Sequence, residues 1–373
     1  MERYQVAYPG LSDQFAHALA GELPEGWEAH LPLFTPTDGE MATRDAGGAV
    51  MNAVAGIVTN LVGGSADLDP STRTTLKGCG DFESPLIVQS GEEVPTQGTS
   101  GGVWGLAGRN IHFGLREHAM AAVMTGMALH DGILPFGATF LSFSDYMRPS
   151  IRLAALSKAR VIYIWTHDSI ALGEDGPTHQ PVEQLASLRA MPNMTVLRPS
   201  DATETVEAWR VALQHTHGPV ALVLTRQKVP VLDRTVLASA AGLAQGAYIL
   251  VEAAGFPPEL ILIATGSEVS IALEAHLQLV GQGIHSRVVS MPCWELFDRQ
   301  PQSYRDSVLP PSVRARVSIE AAAPFGWERY VGLEGAIIGV TQFGASAPGP
   351  VVMREFGFTP ERVVEAAKRV LKR

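Results

Sequence analysis

The sequence has little cysteine and no excess of positive charge, and both facts exclude classes of protein. Its two cysteines, Cys79 and Cys293, lie far apart, which excludes a small domain held together by disulfides. The 28 Lys and Arg residues against 38 Asp and Glu residues give a net charge of −10. Because nucleic-acid binding generally requires a basic face, we expect no nucleic-acid partner. A few arginines can still bind a phosphate group in an acidic protein.

Long apolar runs and common nucleotide-binding motifs are also missing. No apolar run reaches the length needed to span a bilayer, and the opening residues lack the apolar stretch of a signal peptide. We therefore expect no membrane partner and a cytoplasmic location. Neither a Walker A sequence nor a Gly-x-Gly-x-x-Gly sequence occurs, which disfavours the P-loop and dinucleotide-binding classes.

The remaining pattern favours an α/β fold. Hydrophobic residues make up 46% of the chain and charged residues 18%, so a sizeable core can form. From about Thr43 onward, helical and strand patterns alternate. We predict helices at residues 44–55 and 118–130, and strands at 159–166 and 219–225. This alternation is typical of a mainly parallel sheet with crossover helices on both faces.

A second unit of the same class begins near Gly246. Its predicted strands are residues 260–264, 287–290, 316–319 and 336–340. Ser267 is a possible helix cap, and a final helix is predicted from Pro360 with Thr359 as its cap. Together with the first unit, this pattern predicts two α/β domains.

Two segments do not fit the alternating pattern. Residues 1–40 are rich in turns, with one short helix at 11–19, and they are predicted to be a linker that lies on another domain. Residues 72–110 are rich in Gly, Ser and Thr and are predicted to be a long loop or insertion. We therefore place the first domain at 41–232 and the second at 246–373.

The most informative segment is HDSIALGEDGPTHQ, residues 167–180, which follows a predicted buried strand. Ligands of open α/β sheets bind beyond the carboxyl ends of strands, so His167, Asp175 and His179 are candidates for binding a substrate with several hydroxyl groups. The alternative for any one histidine is a structural or exposed role. The spacing matches no closed zinc pattern, so we predict no metal site here.

Polar residues also follow other predicted strands. Asp67 and Ser71 come after the first strand of the first domain, and Arg226 comes after a later one. Arg44 lies near the start of the first helix and can join Arg226 and Ser71 around an anion, because the planar arginine fork can bond two phosphate oxygens. The alternative for each arginine is a solvated surface charge.

Two further features have open interpretations. Glu117 lies at the start of a predicted helix, where it is either a functional acid or an ordinary first-turn acid favoured by the helix dipole. Phe140, Phe143 and Tyr146 are spaced by three residues, which would place them in one stripe on a helix. Such a stripe usually packs in a core, and the alternative is a surface on which a flat cofactor ring stacks.

These motifs together closely resemble the transketolase family. The segments that carry the resemblance are GGSADLDPS, HFGLREHAM, ATFLSFSDYMRPSIRLAALSK, THDSIALGEDGPTHQPVEQLASLR and ATGSEV. The resemblance covers nearly the whole chain and implies the pyrimidine-binding and C-terminal domains of that family, with residues 1–40 similar to its interdomain linker. It also implies transfer of a two-carbon ketol unit from a ketose phosphate to an aldose phosphate.

The resemblance implies a cofactor side, which binds thiamine diphosphate. Glu117 resembles the acid that hydrogen-bonds a ring nitrogen of the aminopyrimidine. Phe140, Phe143 and Tyr146 resemble the pocket for that ring, and Asp67 resembles a residue near the cofactor.

The resemblance also implies a substrate side. His167 and Asp175 resemble groups that bind the hydroxyls of the donor sugar, and His179 resembles the group that contacts the reacting oxygen and transfers a proton. The residues that resemble the phosphate-binding set of the family are Arg44, Ser71 and Arg226.

The sequence departs from the family in two respects, since residues 72–109 are longer than the corresponding segment of many members and one motif is missing. It contains no Gly-Asp-Gly motif, which in the family holds magnesium and the diphosphate. We therefore expect activity only together with an N-terminal diphosphate-binding domain or subunit, in a homodimer. The alternatives are an inactive dimeric scaffold or binding fragment, an enzyme like deoxyxylulose-phosphate synthase, and a β chain of the 2-oxo acid dehydrogenase type.

Overall fold

The computed structural model describes residues 2–84, 101, 104–252, 255 and 257–372. Two α/β units follow an N-terminal segment that contains helices α1 (Glu2–Ala7) and α2 (Pro9–Leu19). The short helix predicted at 11–19 is therefore present, and it begins two residues earlier because Pro9 occupies its first turn. None of the helices in the described ranges is long and apolar enough to cross a membrane.

The first unit contains a six-stranded sheet in which every neighbouring pair is parallel. Its strands, in spatial order, are β3 (Asn110–His112), β2 (Leu61–Ser65), β4 (Leu134–Phe140), β5 (Ile162–Thr166), β7 (Val220–Val223) and β6 (Thr195–Leu197). Strand β1 (Glu40–Met41), at the start of this unit in the sequence, pairs antiparallel with β8 (Val229–Pro230), near its end.

Helices cover both faces of this sheet, as predicted. Ile162 and Ile164 of β5 pack in a core that also contains residues of α3 (Thr43–Val54) and α8 (Ala202–Gln214). Tyr163 and Trp165 pack in a second core. That core contains residues of α5 (Glu117–His130) and α6 (Ser144–Ser157). Because successive residues of a strand point to opposite faces, the continuous apolar sequence of β5 supplies side chains to the cores on both faces of the sheet.

The second unit contains a five-stranded sheet. Its strands, in spatial order, are β13 (Ala336–Ile338), β12 (Arg316–Ile319), β10 (Leu260–Ala264), β11 (Ser286–Ser290) and β9 (Tyr248–Glu252). All pairs are parallel except β9 with β11. Helices α9 (Glu268–Val280) and α14 (Pro360–Leu371) pack on one face.

The remaining helices are short. They are α4 (Asp69–Thr72), α7 (Gln184–Arg189), α10 (Trp294–Asp298), α11 (Gln302–Val308), α12 (Glu328–Val331) and α13 (Gly349–Glu355). Within the loop predicted at 72–110, Asp81 and Phe82 form isolated bridges to Asn110 and Gly105. Residues 85–100, 102 and 103 of that prediction lie outside the described residues.

Three local predictions can be compared with the structure. The Thr359 side chain accepts a hydrogen bond from the Arg362 amide, which confirms the predicted cap of the last helix. Ser267 is the N-cap residue of α9, as predicted, but its hydroxyl donates to the Glu268 carboxylate and makes no capping hydrogen bond to the helix backbone. The helix predicted from His118 begins one residue earlier, at Glu117.

Candidate active site

The candidate residues gather at the carboxyl edge of the first sheet. Phe140 ends β4, His167 follows β5 directly, and Arg226 follows β7 after two residues. β4, β5 and β7 are adjacent and parallel, so their ends lie side by side. This is the edge at which open α/β sheets bind ligands.

Two of the strand-end residues have left-handed backbone conformations. Asp67 has a φ of 61° and His167 has a φ of 60°. Residues with a Cβ atom rarely adopt this conformation, and such outliers concentrate at ligand-binding sites. The turn at His167 places its buried imidazole beside polar groups from a different loop.

His167 is the centre of the polar cluster. It is only 2% exposed, and its Nδ1 lies 2.8 Å from the Thr166 hydroxyl oxygen. Its Nε2 lies 3.8 Å from Oδ2 of Asp175, and the same oxygen lies 3.9 Å from Nε of Arg226. Burial lowers the pKa of His167 to about 3, with further lowering by Arg44, Arg226 and His179. The imidazole is therefore neutral at neutral pH and can both donate and accept a hydrogen bond.

The two arginines of the predicted phosphate site also lie near this cluster. Nη1 of Arg44 donates to the backbone carbonyl of Ser71 at 2.8 Å, and its buried Nε has no hydrogen-bond partner among the described residues. Burial lowers the pKa of Arg44, Asp45 opposes that shift, and Arg73 and Arg226 add to it. Nearby like charges and an unpartnered buried donor favour an anion in this position.

His179 lies between the polar cluster and the aromatic residues. Its Nδ1 is 2.9 Å from the Thr178 hydroxyl oxygen. Its ring centroid is 5.8 Å from that of Phe140 and 5.4 Å from that of Phe143. With Nδ1 engaged by a neighbouring hydroxyl, Nε2 remains for proton transfer.

The aromatic set is continuous, but it is not a helical stripe. Phe140 ends a strand, Phe143 lies in a 3-10 turn (Leu141–Phe143) and Tyr146 lies in α6, so the prediction of one helix face is wrong. The Phe140 and Phe143 rings are stacked with centroids 5.5 Å apart, and the Phe143 and Tyr146 centroids are 5.9 Å apart. The Phe140 centroid is also only 3.7 Å from that of His167, which joins this cluster to the polar one.

Glu117 and Asp67 stand apart from these contacts. Glu117 is the first residue of α5 and is half-buried, while Asp67 is exposed. Neither carboxylate has a hydrogen bond or ion pair within the ranges that the structure describes. Helix α5 packs beside α6, where the Ser150 hydroxyl donates to the His118 carbonyl at 3.3 Å, so Glu117 belongs to the same side of the sheet as Tyr146.

The second unit holds the loop that carries the histidines. Nε2 of Gln180 donates to the carbonyls of Gly173 at 2.8 Å and of Ala345 at 3.0 Å. The Ser346 hydroxyl donates to the Glu174 carbonyl at 2.6 Å. The loop from His167 to Gln180 is therefore positioned by both units.

A buried ionic network beside His167 was not identified from the sequence. Arg198 donates to Oδ2 of Asp168 from Nε at 3.0 Å and from Nη2 at 2.7 Å, and to Oε2 of Glu268 from Nη1 at 2.5 Å. Arg189 forms a bidentate pair with Glu320 at 2.7 and 2.8 Å. An arginine directly after an apolar strand, in the run TVLRPS, is the one sequence signal that could have suggested it.

No group of three or more His, Cys, Asp or Glu side chains in the described part of the chain is placed to hold a metal ion. The polar groups gathered at this edge of the sheet are histidines, arginines and the Asp175 carboxylate, which are chemically able to hydrogen-bond hydroxyls and an anion.

Comparison with known proteins identifies both units. Residues 39–231 match the model of the transketolase pyrimidine-binding domain, and residues 246–359 match that of the transketolase-like C-terminal domain. The transketolase of Geobacillus stearothermophilus is 52% identical over 368 residues, which are 99% of this chain and 52% of that protein. The transketolase of Bacillus subtilis is 45% identical over 100% of this chain and 53% of its own length. The chain thus spans about half the length of these relatives.

Solved structures agree with this result. The transketolase from Leishmania mexicana superposes with a TM-score of 0.88 at 45% identity, over 100% of this chain and 51% of that one. A split-gene transketolase, described as an inactive β4 tetramer, superposes with a TM-score of 0.66 over 90% of this chain and 99% of its own. At 24% identity, the latter likeness shows the fold alone.

Proposed function

The chain belongs to the transketolase family, and we propose that it forms the donor-binding and aminopyrimidine-binding part of a transketolase active site. The proposed reaction transfers a two-carbon ketol unit from a ketose phosphate to an aldose phosphate. The observation that carries the proposal is that His167 lies both 3.8 Å from the Asp175 carboxylate, which Arg226 also approaches, and against the Phe140 ring. These contacts support the proposal, because they join polar groups suited to sugar hydroxyls to aromatic rings suited to a flat cofactor ring.

The aromatic cluster fits the aminopyrimidine of thiamine diphosphate. Phe143 is half-buried and Tyr146 is 66% exposed, so their ring faces are accessible to a second flat ring. When bound, thiamine diphosphate supplies the electron sink for breaking the carbon–carbon bond beside the ketose carbonyl. Glu117 is proposed to hydrogen-bond a nitrogen of the aminopyrimidine, with Asp67 near the cofactor. Magnesium and the diphosphate are proposed to be held mainly by an N-terminal domain or partner chain.

The polar residues of this chain are proposed to bind and orient the donor. The neutral His167 and the carboxylate of Asp175 hydrogen-bond its hydroxyls, and Nε2 of His179 transfers a proton to or from the reacting oxygen. Arg44, Arg226 and Ser71 bind the phosphate at the far end of the sugar. Binding at both ends aligns the reacting carbon with the cofactor, which lowers the entropic barrier.

A homodimer is part of the proposal. Helices α5 and α6 expose several large apolar side chains, namely Val123, Leu129, Tyr146, Leu153 and Leu156. A group of exposed apolar residues beside a binding site is typical of a protein interface. A second copy of this chain on that face would also cover Glu117 and Tyr146. Domain boundaries at 41–232 and 246–373 and a cytoplasmic location also stay predictions.

The test is a coupled ketol-transfer assay with thiamine diphosphate and magnesium. We expect the purified chain alone to be inactive and to become active when the N-terminal diphosphate-binding polypeptide of a full-length relative is added. Glu117→Gln should lower kcat of the reconstituted enzyme by about 100-fold or more, because its amide cannot exchange a proton, while the dimer persists. Activity of the chain alone would contradict the proposed dependence on the N-terminal part.

The second candidate function is an inactive dimeric scaffold. The observation that favours it is the exposed apolar face of α5 and α6. Two copies of the chain can dimerise through that face whether or not they catalyse a reaction. A folded dimer that stays inactive with the N-terminal polypeptide would support the scaffold. Full activity of Glu117→Gln would instead remove Glu117 from the catalytic set.

A further inference from the structure

His167 requires support for its backbone. Its φ of 60° lies in the left-handed region, which an unsupported residue with a Cβ atom seldom adopts. The next residue, Asp168, is 1% exposed. Its side chain is buried between the two units, where it pairs with Arg198. The conformation of His167 therefore depends on what holds Asp168.

One arginine holds Asp168 from two of its nitrogens. Nε and Nη2 of Arg198 both donate to Oδ2 of Asp168, and the Ser169 hydroxyl donates to Oδ1 at 3.2 Å. The side chains of Arg198 and Asp168 are both 0% exposed. Because water cannot replace these bonds, the position of Asp168 follows the position of the guanidinium.

The second unit sets the position of that guanidinium. Nη1 of Arg198 donates to Oε2 of Glu268, the first residue of α9, and to the Thr265 carbonyl at 3.2 Å. Glu268 is itself 0% exposed. Its Oε2 accepts from the Ala321 amide at 2.9 Å, and its Oε1 accepts from the Ser267 hydroxyl at 2.6 Å. Each oxygen of Glu268 thus has a fixed partner within the second unit.

Packing removes alternative positions for Arg198. Gly266 has a φ of 60°, and a Cβ atom placed there would lie 2.5 Å from Cζ of Arg198. The guanidinium therefore fills the space that a side chain at position 266 would need. Hydrogen bonds and close packing together leave it one position.

We propose that Glu268 and Arg198 are positioning residues of the donor site: Glu268 of the second domain orients Arg198, Arg198 holds Asp168, and Asp168 holds His167 in the conformation that binds the donor hydroxyls. This inference rests on the proposed function, because it assigns His167 to donor binding. It gives the second domain a part in substrate affinity through these residues, although none of the side chains described for that domain belongs to the cluster around His167.

The first experiment compares two buried carboxylates that join the units. Glu268→Met removes the carboxylate that accepts a hydrogen bond from Nη1 of Arg198 and leaves Oε1 of Glu320, 3.7 Å away, as the nearest other carboxylate. Glu204→Met is the matched control. Glu204 is also 0% exposed and bonds to Ser200, Tyr248 and Ser290, none of which belongs to the network around Asp168. In the reconstituted enzyme, we expect Glu268→Met to raise KM for the donor by about tenfold with kcat changed less than about threefold, because loss of uniform binding acts on KM.

A conservative variant separates positioning from general damage. Glu268→Gln should keep KM within about threefold of the wild type, since its amide oxygen still accepts from Arg198. Glu204→Met should destabilise the fold without raising KM. An equal rise of KM in Glu268→Met and Glu204→Met, or no rise in Glu268→Met, would overturn the inference.

A second pair of variants covers failure of Glu268→Met to fold. Gly266→Ala displaces the Arg198 guanidinium without removing any charge. Its control is Gly283→Ala, where φ is 78° and a Cβ atom meets nothing within 4 Å. Both replacements put an alanine at a left-handed φ, 60° and 78°, but only the one at Gly266 meets Arg198, so only Gly266→Ala should raise KM for the donor. A KM rise in both, or in neither, would count against the inference.

An NMR measurement on the full chain distinguishes this inference from the proposed function. The imidazole signal of His167 in histidine-labelled protein, assigned by its loss in His167→Asn, should shift in Glu268→Met or Gly266→Ala and not in their controls. If it shifts while no reconstituted enzyme shows ketol transfer, the positioning holds and the proposed function fails. An unmoved signal in an active Glu268→Met enzyme would refute the positioning alone.

Discussion

The imidazole of His167 lies against the ring of Phe140, with ring centroids 3.7 Å apart and an interplanar angle of 32°. His167 belongs to the proposed donor-binding set and Phe140 to the proposed cofactor-binding set. The two sets are therefore one packed unit, and a change at Phe140 acts on both.

Replacing Phe140 by Leu should weaken both cofactor and donor binding. An aromatic pair contributes roughly 0.5–1.5 kcal/mol beyond its buried area, so we expect increases of about two- to tenfold in the half-saturating thiamine diphosphate concentration and in the donor KM. Tyr146→Leu is the matched variant, because Tyr146 contacts Phe143 and not His167. Tyr146→Leu should raise the half-saturating thiamine diphosphate concentration and leave the donor KM unchanged. Equal donor KM values in Phe140→Leu and Tyr146→Leu would contradict a role of the contact between Phe140 and His167 in donor binding.

The low pKa of His167 should make stability depend on pH. Its pKa is lowered to about 3 in the folded chain, mainly by burial, while the unfolded chain has the ordinary value of 6.5. Below pH 6.5 the unfolded chain therefore binds a proton at His167 and the folded chain does not. The neutral His167 thus contributes its full share of folding stability above pH 6.5, and this share is lost as the pH falls towards 3. In His167→Asn this loss is absent.

The measurement is the free energy of unfolding of both proteins by urea. Between pH 7.5 and 5.5, the wild type should lose roughly 1 kcal/mol more than His167→Asn. The contribution of His215, whose pKa is also lowered by burial, to about 4, is common to both and cancels. A pH-independent difference would mean that His167 binds protons equally in the folded and unfolded chains, so that burial does not lower its pKa.

Arg226 should distinguish phosphorylated from unphosphorylated donors. Its guanidinium is 44% exposed and lies near both Asp175 and Arg44, so a phosphate can reach it from solvent. A hydrogen bond to a charged group contributes about 1.5–3 kcal/mol, so Arg226→Gln should raise KM for a ketose phosphate by about 10- to 100-fold. The KM of a donor without phosphate should stay nearly unchanged. Steady-state kinetics with the two donors check this, and a parallel loss for both would contradict phosphate binding.

The buried pair between the units should matter more for stability than a surface pair. Arg189 is 3% exposed, bonds to Glu320 with both terminal nitrogens and lies 4.1 Å from the centroid of the Trp294 ring. Arg189→Gln removes the bidentate partner of the buried Glu320 carboxylate, which keeps only the Trp327 indole N–H at 2.8 Å and Arg198 at 3.7 Å, and should cost about 3–5 kcal/mol of unfolding free energy. Arg314→Gln removes an exposed pair with Glu334 and should cost at most about 1 kcal/mol. Equal losses in urea unfolding would contradict this reading.

Local patterns in the sequence were sufficient for much of the fold. The strands predicted at 260–264 and 316–319 are both present with the same bounds. The first is a continuous apolar run, Leu-Ile-Leu-Ile-Ala, and the second alternates polar and β-branched residues, Arg-Val-Ser-Ile. Parallel pairing followed from the alternation of helix and strand. The edge strand β9 is antiparallel, and nothing in its own sequence indicates that direction.

The aromatic set shows where local pattern is insufficient. Phe140, Phe143 and Tyr146 have helical spacing, yet the chain passes from strand through a 3-10 turn into a helix over those seven residues. Packing of β4 into the sheet overrides the local preference, because its residues are buried on both faces. The sequence correctly predicted that the three rings lie together, but it wrongly predicted that they share one face of a helix.

The sequence by itself determined the fold class, the polar loop at residues 167–180 and the chemical types available there, since each depends on neighbouring residues and on strand ends. Only the tertiary structure decided that Asp168, Arg198 and Glu268 meet, because they come from two units and contact one another only when both sheets have packed. The same packing removes water from His167, which lowers its pKa and places it against Phe140. Burial and long-range contact are properties of the folded chain, and no window of sequence contains them.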